Sequence, residues 1–255
     1  MDWRLKLIYP AASVLAFLAL WQVVATRFID PFFLPSPLAV LKGAGGLIAD
    51  GTLVQAIGAS MSRILAGWLL GSALAMPLGL AIGASRILQS VVDPFVHFFR
   101  FIPAIALVTL FIVWFGIGEA SKVLLIAYST AFLVVISTAS GVGALSKDKL
   151  DAARCLGASP MQVFVHVVIP ASVPAIYVGM RLALAGSFLV IVAAEMLAAD
   201  SGLGTLIWTS RLYFRIDWMF AGIVTLGLLG LGTDRLWKWL GGALARRYLR
   251  DALNY

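Results

Sequence analysis

The chain has 255 residues, of which 62% are hydrophobic and only 12% charged, and its mean hydropathy is +1.00. Soluble domains carry about 25% charged residues, so this composition excludes a water-soluble globular protein and leaves no stretch polar enough for a separate soluble domain. The formal net charge of +7 does not point to nucleic acid, because Lys and Arg gather at the ends of apolar runs, where membrane orientation requires them.

Residues 1–6 are short and basic, with Arg4 and Lys6. The apolar run over 7–26 is long enough to cross about 30 Å of hydrocarbon. It is long for the core of a signal peptide and has no A-x-A cleavage pattern, which favours a retained first span. Pro31, Pro35 and Pro37 then interrupt regular helix and lay the chain down in extended form. A short amphipathic helix at the outer interface is expected over 38–53.

A second span is expected over 64–85, free of charge and punctuated by Gly67, Gly71, Gly79 and Gly83. Glycines four apart share a helix face and admit a neighbouring backbone, either within the chain or from a second subunit. Residues 86–100 form a polar break with Asp93, Pro94 and His97. The third span is placed at 101–118, with Trp114 suited to an interfacial belt, and the fourth at 123–146. A polar segment over 147–174 leads to a fifth span at 175–197, an external loop from Asp200 to Asp217, a sixth span at 218–237, and a basic tail over 238–255 with Arg246, Arg247 and Arg250. The expected architecture is all-α: a polytopic bundle of six transmembrane helices forming one domain over 1–255. With both termini inside, the cytoplasmic segments hold 11 Lys and Arg and the external segments 6, the bias that the positive-inside rule demands. The 147–174 segment then faces the cytoplasm.

Motifs for chemistry within the chain are missing. There is no G-x-x-x-x-G-K-[ST] to cradle nucleotide phosphates, no H-E-x-x-H and no G-x-S-x-G. Cys155, the one cysteine, excludes a disulfide framework, and His97 and His166 are too scattered for a metal cluster. Neither catalysis nor a bound cofactor or metal is expected of the chain. Any mechanical work must come from outside it.

The most distinctive stretch runs from Asp151 to Pro170, D-A-A-R-C-L-G-A-S-P-M-Q-V-F-V-H-V-V-I-P. As a helix it groups Ala152, Ala153, Leu156 and Gly157 into a low-relief patch. Ser159-Pro160 breaks that helix and starts a second, since proline is tolerated in a first turn, and Pro170 is expected to end the second piece. The pattern resembles the cytoplasmic coupling loop of binding-protein-dependent ABC importer permeases, E-A-A, three residues, G, nine residues, I-x-L-P. Asp151-Ala152-Ala153, Gly157 and Val167-Val168-Ile169-Pro170 fall at those spacings, with Asp for the family's Glu and both aliphatics changed. The strings Leu34-Pro35-Ser36-Pro37, Arg100-Phe101-Ile102-Pro103, Trp114-Phe115-Gly116-Ile117-Gly118, and Glu195-Met196 followed by Gly202-Leu203-Gly204 are similar to those of the nitrate, sulfonate and taurine branch.

The resemblance, over roughly 55 to 235, implies a type I ABC importer fold in a bacterial inner membrane. It implies a second permease copy, a homodimer in this branch, with two cytoplasmic ATPase subunits that bind ATP and Mg. It also implies a periplasmic or lipid-anchored substrate-binding protein, and no nucleic-acid partner. Asp151, Ala152, Ala153, Leu156, Gly157, Ala158, Ser159 and Pro160 would form the ATPase-docking loop. The implied cargo is a small anion or organic acid such as nitrate, a sulfonate or taurine. A carrier or channel not driven by ATP, and an integral membrane enzyme, are the alternatives.

Three charged residues are candidates for the translocation path or its gate. Arg181 and Glu195 lie on one expected span but about 21 Å apart along it, so they cannot pair with each other. Arg181 either lines the path or snorkels to the inner interface, and Glu195 either lines the path or its outer gate or pairs with another helix. Arg100, at the mouth of the third span, either meets an anionic substrate or anchors the interface.

Overall fold

A computed structural model describes residues 3–244, with side chains over 8–243. The side chains of Arg4 and Lys6, and the basic tail residues Arg246, Arg247 and Arg250, lie outside the described residues. Among the described residues regular structure is helical throughout: α1 (Trp3–Arg27), α2 (Pro37–Ala49), α3 (Thr52–Ala84), α4 (Arg86–Arg100), a 3₁₀ turn (Ala104–Leu107), α5 (Val108–Phe115), α6 (Glu119–Gly143), α7 (Lys147–Cys155), α8 (Pro160–Ala198), α9 (Leu203–Leu212) and α10 (Ile216–Leu244). Five helices, α1, α3, α6, α8 and α10, are long and apolar enough to cross a membrane, and a bent pair brings the number to six. The chain divides into two compact units, Met1–Ala59 with Asp200–Gly227, and Ser60–Ala199 with Leu228–Tyr255.

In the first unit, Trp21 Nε1 donates to the Pro35 carbonyl at 3.1 Å, and the Trp21 ring lies 5.9 Å from that of Phe220. Ser36 accepts from the Ala39 amide and Pro37 occupies the first helical turn, so the proline-rich stretch ends by capping α2. The helix expected over 38–53 therefore exists as Pro37–Ala49. It buries Val40, Gly43 and Leu47 and leaves Leu38, Leu41, Lys42 and Ile48 exposed, so its outward face is largely apolar with one charge. The expected external loop over Asp200–Asp217 is mostly the helix α9.

The second unit holds the main core. Ile64, Trp68, Ala75 and Ile82 of α3 meet Ile126, Val134 and Val135 of α6 and Ala183, Leu184 and Ile191 of α8. The glycine stripe is used within the chain. A Cβ on Gly67 would fall 2.6 Å from Ile126 Cβ, and one on Gly71 2.5 Å from the Ala127 carbonyl oxygen. Only a residue without a side chain lets α3 lie that close to α6.

Several expected boundaries move. The second span, placed at 64–85, belongs to a helix that begins at Thr52 and carries Arg63 in its interior. The third span at 101–118 is not one helix: α4 and the Ala104–Phe115 segment are bent by 84° about a break at 101–103, where Pro103 removes a backbone donor. The polar break expected over 86–100 is the helix α4 itself. The fifth span at 175–197 is the C-terminal part of the 39-residue α8, and Pro170 does not end the preceding helix. A π-helical turn at Phe164–Val168 precedes it. Widening the ladder to i→i+5 bonds accommodates the missing Pro170 donor and the helix continues.

Candidate functional site

The segment singled out by sequence is a short helix, α7, whose C-terminal end and the start of α8 after it are each fixed by specific bonds. α7 stops because Gly157 has φ +81°, the left-handed region that glycine adopts without penalty. The Ala158 amide bonds back to the Ala153 carbonyl at 3.1 Å and the Gly157 amide to that of Arg154 at 2.9 Å, closing a Schellman motif. Ser159 then caps α8 reciprocally: its hydroxyl accepts from the Gln162 amide at 3.3 Å, and the Gln162 side chain accepts from the Ser159 amide at 2.8 Å.

These two devices fix which residues face outward. Leu150, Ala153 and Ala158 pack toward a small core of Val142, Val163 and Val168. Asp151, Ala152, Leu156, Gly157, Ser159 and Pro160 are exposed, Leu156 at 89%. Helical spacing thus puts Ala152 and Leu156 on the outer face and turns Ala153 beneath it. Arg154 pairs with Asp151 at 3.0 Å in the open, an interaction worth little. A cavity of about 390 Å³ lies under the segment, bordered by Leu150, Arg154 and Phe164.

A second constellation is buried and drew only one residue from the sequence reading. Glu195 on α8 is 1% exposed. Its carboxylate accepts from Arg63 Nη1 at 2.8 Å, and Ser60 Oγ stands 2.8 and 2.9 Å from its two oxygens. Arg63 reaches Glu119 on α6 through Nε at 2.6 Å and Nη2 at 2.8 Å, and Lys122 Nζ lies 3.1 Å from the same carboxylate. Two acids and two bases therefore join α3, α6 and α8 with no net charge. Desolvating such groups is costly unless every partner is present, and here each is. Arg63 went unnoticed because a charged residue reads as the end of an apolar run. The available signal was spacing: Ser60, Arg63, Gly67 and Gly71 fall three or four apart, on the face that meets α6.

Arg181 pairs with Asp234 on α10, Nε to Oδ1 at 2.5 Å and Nη2 to Oδ2 at 2.9 Å. Beside it Tyr177 stacks on Trp237, with centroids 5.3 Å apart and planes 11° from parallel. In this structure Arg181 and Glu195 are thus joined to neighbouring helices and not to each other.

Arg100 stands at the α4–α5 bend. It is exposed, with its guanidinium carbon 4.8 Å from the centroid of the Phe101 ring. Tyr128 Oη donates to the Phe99 carbonyl at 2.8 Å, which pins the bend to α6. A cavity of about 330 Å³ opens there. An arginine in mid-bilayer costs about 2.5–3.5 kcal/mol on insertion scales, so its depth matters to any functional reading.

The chain is similar to known proteins along most of its length. Residues 53–246 match the family described as binding-protein-dependent transport system inner membrane component. A probable ABC transporter permease protein of Brucella melitensis is 43% identical over 203 residues, covering 80% of this chain and 82% of that protein. The taurine transport system permease protein TauC of Escherichia coli is 35% identical over 219 residues, covering 83% and 79%. The nitrate import permease protein NrtB of a Synechocystis strain is 30% identical over 244 residues, covering 92% and 88%. Among solved structures, an inward-facing MetNI methionine ABC transporter superposes with a TM-score of 0.68 at 19% identity, covering 77% of this chain and 96% of that chain, a likeness of fold. The chain belongs to the family of inner membrane components of binding-protein-dependent transport systems: it is the permease subunit of an ABC importer, a transport subunit and not an enzyme.

Proposed function

We propose that this chain pairs with a second copy of itself to form the transmembrane path of an importer for a small anion or organic acid such as nitrate, a sulfonate or taurine. Two cytoplasmic ATPase subunits dock on the segment Asp151–Pro160. A periplasmic or lipid-anchored binding protein delivers the cargo. ATP and Mg are held by the ATPase, and the chain itself needs no cofactor or metal. Closure of the ATPases moves the coupling segments, and the bundle alternates between faces by rigid-body motion. Both termini lie in the cytoplasm.

The observation that carries this reading is the presentation of Leu156, 89% exposed between the Schellman turn that ends α7 and the capping box that starts α8. A large apolar side chain held rigidly in water is the kind of anchor that partner grooves take up. A Cβ on Gly157 would meet nothing within 4 Å of its own chain, so a bulkier residue there disturbs the left-handed turn and the partner, not internal packing. The cargo class follows the names of the TauC and NrtB relatives.

The test is co-purification of the ATPase with wild type, Leu156→Asp and Gly157→Asp from native membranes. Wild type should bring the ATPase down, and both variants should insert normally and lose it. Retention of the ATPase and of full transport by both variants would remove the docking assignment.

A further inference from the structure

We infer that the polar face of α4, carried by Ser90, Asp93 and His97, is a wall of the water-filled cytoplasmic half of the translocation path. The inference rests on the permease reading and deepens it, because it names a stripe of side chains that sequence placed in a polar break outside the membrane.

α4 sorts its side chains into three arcs. Arg86, Ser90, Asp93, His97 and Arg100 are spaced alternately four and three apart, and at about 100° per residue they fall within an arc of about 80°. Leu88, Val92 and Val96 form a second arc, packed on the main core. Ile87, Val91, Phe95 and Phe98 form a third, apolar and exposed, as lipid requires. A helix lying flat on a membrane surface also has a polar face, so depth decides what this one is for.

The neighbouring helices give that depth. α3 and α6 run side by side in the same direction, since Gly67 meets Ile126 and Gly83 meets Val142. α4 follows α3 directly, so Arg86 starts within a turn of the level of Val142. Near its other end the Phe99 carbonyl accepts from Tyr128 Oη at 2.8 Å. From Val142 back to Tyr128 is fourteen residues of α6, and from Arg86 to Phe99 thirteen of α4, about 21 and 20 Å at 1.5 Å per residue. Because these lengths agree, α4 stands along α6 and does not lie flat. Asp93 and His97 are then about 10 and 16 Å above Arg86, inside a hydrocarbon core about 30 Å thick.

A polar stripe at that depth cannot face lipid tails. Other deep charges of this unit are tied to partners, Arg63 to Glu119 and Glu195, and Arg181 to Asp234. Ser90 Oγ only bonds back to the Arg86 carbonyl at 2.9 Å, and among the described residues neither the Asp93 carboxylate nor the His97 ring has an ion-pair or hydrogen-bond partner. A second copy does not supply one. Two copies related by a two-fold axis along the membrane normal run parallel, which would set Asp93 against Asp93 and Arg100 against Arg100, and like charges repel. Water is the occupant that remains. α6 turns a matching face to the same side: Ser129, Leu133 and Ile136 line the cavity beside Arg100, and Ser140, one turn further on, is exposed. The two faces border one space from mid-depth to the inner end.

The experiment is cysteine modification of the full chain in native membranes that hold its ATPase, with Cys155→Ser throughout. The probe is a charged, membrane-impermeant methanethiosulfonate, which attacks the thiolate and so requires water at the site. Ser90→Cys and His97→Cys test the polar face, and Val91→Cys and Phe95→Cys the apolar one, so that loss of one variant to misfolding leaves a comparison. In inside-out vesicles without nucleotide the first pair should react at least tenfold faster than the second. ATP with vanadate, which holds the ATPases closed, should then slow His97→Cys at least tenfold. The inference is overturned if His97→Cys reacts no faster than Phe95→Cys, or reacts only in right-side-out vesicles. Co-purification of the ATPase with such a slow His97→Cys chain sinks this inference alone. Fast modification of the polar face that vanadate leaves unchanged sinks the ATP-driven reading alone.

Discussion

Two regions of the second unit use charge in opposite ways. In the coupling segment the Asp151–Arg154 pair is open to water, with side chains 63% and 65% exposed, and the large apolar residue Leu156 stands outside. In the Ser60–Arg63–Glu119–Lys122–Glu195 cluster, Arg63, Lys122 and Glu195 are at most 5% exposed, and their partners come from three helices far apart in sequence. The first arrangement stabilises the chain little and leaves a face free for a partner. The second holds helices together and leaves only Glu119 open at its edge. The contrast separates a charge network that ties three helices together from an apolar side chain held outside beside a locally fixed turn, the surface proposed above to meet the ATPase.

The comparison breaks most visibly at Arg63. Arg63→Ala leaves Glu195 buried with Ser60 as its remaining named partner, and losing one member of such a network costs about 3–5 kcal/mol. A thermal melt in detergent should show a large loss of stability, and a melt like that of wild type would mean that the cluster does not tie the helices. Gly71→Val comes next. Its side chain would be driven into the Ala127 backbone, where the glycine Cβ position is already 2.5 Å from the carbonyl oxygen, and overpacking costs about 1–3 kcal/mol. The same melt should fall by less than for Arg63→Ala.

Gly157 sharpens the contrast from the other side. Gly157→Val forces a branched residue to φ +81°, a left-handed conformation costing about 1–2 kcal/mol, so the melt should fall by less than for Gly71→Val while ATPase binding is lost. Gly157→Asn tolerates that conformation better and should retain more binding than Val if the turn itself is what the partner needs. Equal loss by both would show that the partner lies flush on the glycine. The smallest effect is expected of Arg154→Ala, about 0.5 kcal/mol or less for an exposed pair, with the melt unchanged within error.

The helices themselves were legible because runs of apolar residues leave few alternatives in a membrane. The turn between α7 and α8 was legible because its chemistry is local: Gly157 and Ser159-Pro160 state in sequence what the backbone does. The buried cluster was not, since pairing between Arg63 and Glu195, 132 residues apart, has no local trace, and hydropathy treats any charge as a boundary. Pro170 misled for a related reason. The rule that proline ends a helix assumes an i→i+4 ladder, and the Phe164–Val168 π turn departs from it. The 84° bend at 101–103 hid within an apolar run because hydropathy records composition, not direction.

The central claim is that α7 and its turn face an ATPase in the cytoplasm. Cys155, the one cysteine of the chain, is exposed at the end of α7 and needs no engineering. A photoreactive maleimide attached there in native membranes tests the claim directly. Labelling should occur from the cytoplasmic face alone, and irradiation should join the permease to its ATPase in a product that Leu156→Asp abolishes. Labelling from the external face, or irradiation products with lipid and no ATPase adduct in wild type, would contradict it.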